Sequence, residues 1–147
     1  MTVIEIAKHI KYSLPKRKLI DEKSLNYYYQ AKRYDKLISL MKNHLSINCR
    51  LKIRCIDKPL PVKGHFKSAN IFMPANFPLY ESIEYRNLVL EISFHKELLN
   101  NFYAFVMIMS HELSHIVLYS LNHPLKFSEK ATDIAAINLG FSRFFEY

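Results

Sequence analysis

The sequence predicts an α+β fold, a small, three-stranded, mainly antiparallel sheet backed by helices. Three observations predict it. Apolar residues recur at helical spacing through the first forty-odd positions, three short strand-like runs follow between 47 and 94, and two more helical stretches close the chain. At 147 residues, half of them hydrophobic, the chain is long enough for one real core and too short for two comfortable ones. Residues 1–147 are therefore read as one domain.

Residues 1–46 form the helical N-terminal part. From Lys23 to Leu45, the residues Leu25, Tyr28, Tyr29, Tyr34, Leu37, Ile38, Met41 and Leu45 fall at roughly helical spacing, after a break marked by Pro15 and Asp21. The sheet occupies 47–94. Ile47 to Ile56 alternates, with Ile47, Cys49, Leu51, Ile53 and Cys55 on one face and Asn48, Arg50, Lys52 and Arg54 on a basic outer face. Lys58-Pro59-Leu60-Pro61 ends this strand. A second strand, His65 to Met73, stops at Pro74, and Asn87 to Phe94 forms the third. A long helix spans 98–121 and Pro124 breaks it. Ser128 is the expected N-cap of a last helix over 128–140, with Gly140 in the terminating position.

Composition narrows the function classes. Two glycines and six prolines exclude a collagen-like or linker-rich chain, and twenty aromatic residues argue against disorder. No apolar run reaches the roughly 18 residues that span a bilayer. The nearest, Phe102 to Leu121, carries Ser110, His111, Glu112, Ser114 and His115 through its middle. The amino terminus has a charge inside its short apolar stretch, unlike a secretory signal. The net charge of +8 is spread thinly, with no block of five consecutive basic residues and no nucleic-acid-binding signature. It reads as a solvated surface, with no specific nucleic acid as partner. Cys49 and Cys55 on one strand would be roughly 20 Å apart, far beyond disulfide reach. Free thiols suit a reducing compartment, so the expected location is cytoplasmic. Oligomeric state is not legible from the sequence.

The chemistry concentrates in SHELSHIVLYSLNHPLKFSEKATD. One helical turn separates His111 from His115, so both imidazoles project from one face and can hold one Zn²⁺. Glu112 cannot share that coordination but lies beside it, where a general base of metal-assisted hydrolysis belongs. Random placement of the same residues gives this pattern in roughly two of a hundred such chains. A third ligand is needed. The longer motif with histidine six residues and glycine three residues after His115 fails, because Leu121 and Leu118 stand there. His123 is a weak rival just before Pro124. The acidic pair Glu129 and Asp133 is the better candidate, since seven residues from Asn122 to Ser128 can bridge about 23 Å back to the metal.

HELSH followed by EKATD resembles the gluzincin zinc metallopeptidases, whose signature is HExxH with a downstream ExxxD. The upstream order of Asn70-Ile71-Phe72, LVLEISF and Leu98-Leu99 is similar to the minigluzincins and to the catalytic core of prenyl-protease-type peptidases. The likeness covers roughly residues 68–141. It implies a zincin-like fold in which the active-site helix is followed by a glutamate-bearing helix. It further implies one Zn²⁺ on His111, His115 and Glu129, Glu112 as catalytic base, and Asp133 hydrogen-bonding an imidazole ligand. The implied activity is hydrolysis of a peptide or protein substrate laid along the strand at Ala69 to Phe72. Tyr119, His123 and His95 are candidates for holding the oxyanion, and Asn70 for contacting substrate. The alternative is a non-catalytic zinc-binding or partner-binding module of the same fold.

Overall fold

The computed structural model describes residues 1–58, 60–62 and 65–146. Pro59, expected to help end the first strand, lies outside them. Three helices open the chain: α1 (Val3–Ser13), α2 (Glu22–Gln30) and α3 (Tyr34–His44). Thr2 caps α1 through Glu5 N, and Asp21 caps α2 through Ser24 N, so the break foreseen at Pro15–Asp21 is real. The single helix expected from Lys23 to Leu45 is instead two. Lys32 takes a left-handed conformation (φ 57°), and the chain turns before Tyr34. The turn folds α2 and α3 together, burying Leu25 on one and Leu37, Ile38 and Met41 on the other.

The strands are β1 (Arg50–Ile56), β2 (Leu60–Val62), β3 (His65–Lys67), β4 (Ala69–Ile71) and β5 (Val89–His95), with α4 (Ile83–Asn87) before the last. The expected second strand is split at Ser68. Its first part pairs with β2 as a separate hairpin, and its second part joins the main sheet. The main sheet has three strands in the order β1-β5-β4. It is mixed rather than mainly antiparallel: β1 pairs with β5 in parallel over seven residues, and only the short β4 runs antiparallel to β5. The long excursion from 57 to 88 carries the chain back to the start of the sheet, as a parallel pairing requires.

Leu90, Ile92 and Phe94 alternate into the core along β5. They meet the long helix α5 (Phe102–Ser120), where Phe94 packs edge-on against Phe105 at 5.4 Å. Asn101 caps α5 through Ala104 N. The helix is long and apolar enough to cross a bilayer by length and composition, yet half of that stretch is buried inside the protein, as in a core helix. After it come α6 (Glu129–Ala136) and a wide turn, Ile137–Phe141. Ser128 caps α6 through Ala131 N, and Gly140 ends the helical course at φ 111°, both as the sequence indicates. Gly140 lies against the linker after α1. Its carbonyl accepts from Ile20 N at 3.0 Å, and Arg17 N reaches Asn138 O at 3.3 Å.

Candidate metal centre

The site is built where α5 and α6 cross. His111 and His115 stand one turn apart on α5 with perpendicular rings 4.8 Å between centroids. Both are about five-sixths shielded, with side chains 17% and 13% exposed. The loop from 121 to 128 is tightly wound: His123 N bonds Leu118 O, Lys126 N bonds His123 O, and Ser128 N bonds Leu125 O. Asn122 supplies its left-handed turn at φ 47°. That loop delivers Glu129 as the first residue of α6, beside the histidines.

Glu129 Oε2 lies 2.6 Å from His111 Nε2 and 3.5 Å from His115 Nε2. The donor atoms of His111, His115 and Glu129 all fall within 4.8 Å of one another, close enough to hold a metal ion. Two imidazoles and a carboxylate form a set suited to zinc and to other borderline divalent metals. On the far side of the His111 ring, Nδ1 lies 2.7 Å from Asp133 Oδ1. Burial disfavours charge on His111. The bond to Asp133 and the carboxylates of Asp133, Glu112 and Glu129 outweigh it and hold the pKa above its ordinary value.

Thr132 is a contributor that the sequence reading missed. Its hydroxyl donates to Ser128 O at 2.9 Å, so its oxygen is left to accept from His115 Nδ1 at 3.4 Å. One helix, α6, therefore holds both Nδ1 atoms from behind, through Asp133 and Thr132, while both Nε2 atoms face Glu129. The signal was present in EKATD, where Thr132 sits three residues after Glu129 and so on the same helical face.

Glu112 is buried, 5% exposed, and reaches the walls of two adjoining clefts. One cleft, about 420 Å³, runs past His111 and Asp133 to Ser68 and Ala69. The other, about 260 Å³, runs past His115 to Asn70, Phe72 and Tyr119. Strand β4 forms one wall of both, and it is the last strand in the sheet order. Asn70 and Tyr119 are thus brought to the site. Burial, and then the Glu129 charge, push the Tyr119 phenol pKa up, so it keeps its proton.

His123 is not brought there. Its Nδ1 accepts from Leu125 N at 3.0 Å, its Nε2 meets Ser13 Oγ at 2.7 Å, and its ring packs against His9 at 5.2 Å. Both nitrogens are spent, Nδ1 within the loop and Nε2 on joining it to α1, which removes His123 as metal rival and as oxyanion donor. His95 ends β5, where its Nδ1 accepts from Glu97 N as the cap of the following turn. It lines neither cleft. No protein-family model, curated protein or solved structure matches this chain.

Proposed function

We propose that the protein is a zinc-dependent metallopeptidase of gluzincin type, holding one zinc on His111, His115 and Glu129. What supports the reading is the arrangement of one acid, Glu112, between two metal-facing histidines in a cleft walled by an edge strand. Zinc bound there would supply Lewis acidity and acidify water at the site. Glu112, buried in that wall, takes the proton from the attacking water and passes it to the leaving amine. Asp133 and Thr132 fix the tautomers of His111 and His115 by accepting from Nδ1. Tyr119, still protonated, is placed to donate to a developing oxyanion, and β4 offers its outer edge to an extended peptide.

Three protein donors and clefts on either side favour a catalytic site over a closed structural one, which would take four. The test is elemental analysis of protein purified without added metal, followed by a peptide-library digest with and without chelator. Near-stoichiometric zinc and chelator-sensitive cleavage are expected. Zinc with no cleavage of any peptide would return the protein to the non-catalytic module, and no metal at all would end the metallopeptidase reading and leave a partner-binding module.

A further inference from the structure

A second cavity lies at the foot of α5, sharing no lining residue with the clefts at the metal cluster. Its volume is about 150 Å³. Leu14, Leu45, Ile47, Val117, Leu121 and Leu139 make its walls apolar. An apolar cavity of about that size accepts a benzene ring.

One cation interrupts these walls. Arg17 lines the cavity, and its Nε is buried without a hydrogen-bond partner. Among the described residues Arg17 forms no ion pair. The acid beside the cavity, Glu81, is already bound by Asn48 and Arg86. Three of the other polar lining residues are also spent on the protein. Tyr80 donates to Ser46 O at 3.0 Å, Ser120 Oγ donates to Val117 O at 2.9 Å, and the Tyr85 hydroxyl is engaged by Asn48 N. A guanidinium that lines an apolar space with no carboxylate opposite it favours an anionic occupant there.

We propose that this cavity binds a small apolar monocarboxylate, its ring- or chain-sized body among the leucines and its carboxylate paired with Arg17. The planar guanidinium takes the two oxygens of a carboxylate through parallel N–H bonds. A neutral molecule of the same shape fills the walls but leaves Arg17 unmatched. A dicarboxylate strands its second charge in apolar surroundings. The site does not depend on the metallopeptidase reading.

The test uses benzoate and the neutral benzyl alcohol as probes, followed by NMR amide correlation spectra of the full chain. Benzoate should give saturable shifts at Leu45 to Ile47, Tyr80 and Ser120 to Leu121, and should bind at least about tenfold more tightly than benzyl alcohol. Arg17→Gln should abolish that preference and leave benzyl alcohol binding unchanged. Shifts that stay linear to about 10 mM, or that saturate only around His111 and His115, would overturn the site. Equal affinity for the two probes on the unmodified chain would overturn the role of Arg17, even if the variant did not fold.

Discussion

His111 Nδ1 and Asp133 Oδ1 lie 2.7 Å apart although twenty-two residues separate them in the chain. The other nitrogen of the same ring faces Glu129 Oε2 at 2.6 Å. One imidazole therefore meets two carboxylates of α6, one behind it and one at its coordinating edge, and the two are expected to differ in their effect on metal.

Glu129→Ala should lose most of the bound zinc. Asp133→Asn should weaken affinity about 10–100-fold, and Thr132→Val by less, since its bond to His115 is longer. Competition against a chromophoric chelator measures all three. Retention of zinc by Glu129→Ala with complete loss in Asp133→Asn would reverse the assignment.

Glu112→Gln should keep its zinc and its fold, because the amide is nearly isosteric and Glu112 is not among the clustered donors. Hydrolysis should fall by at least about 10²-fold, the scale of a lost general base. Parallel metal analysis and peptide turnover decide it. A mutant as active as the parent would remove Glu112 from the mechanism.

Gly140→Ala should destabilise the fold by at least about 2 kcal/mol. Gly140 sits at φ 111°, and an added Cβ would collide with the Lys18 carbonyl oxygen and lie 2.6 Å from His44 Nε2. Denaturant unfolding reads the change, and an unshifted midpoint would mean the linker after α1 yields freely.

Stability should fall with acid through His123. Burial, and then the neighbouring His9 charge, lower its pKa from the ordinary value of 6.5. The unfolded chain then takes up the proton first as pH falls, so the contribution is complete above about 6.5 and drains away below it, down to the lowered folded value. The stability gap between the parent and His123→Gln should therefore be wider at neutral pH than in mild acid. Thermal melts across that range check it, and a gap that widens in acid would contradict the sign.

The order of helices, strands and helices was legible, as were Ser128, Gly140 and the cluster of His111, His115 and Glu129 as neighbours. Each rests on local rules of periodicity, capping or spacing. The split at Lys32 was hidden because side-chain spacing carries no mark of a left-handed residue. Alternation along β1 and β5 is the same in parallel and antiparallel pairing, so the direction of their ladder could not be read from either strand. His123 was misjudged because its partner, Ser13, lies 110 residues away. Thr132 was overlooked because a hydroxyl behind a histidine is not a motif.

The packing of α1 on α6 has a consequence for synthesis. Ile6 and Ile10, the buried residues of α1, belong to a surface that α6 helps cover. A ribosome adding about 5–20 residues per second leaves that face waiting some seconds to tens of seconds. Glu129, Thr132 and Asp133 emerge with the same late helix, so the cluster with His111 and His115 cannot assemble before it. A nascent chain stalled before α6 would expose apolar α1 to chaperones and carry two histidines with nothing behind them.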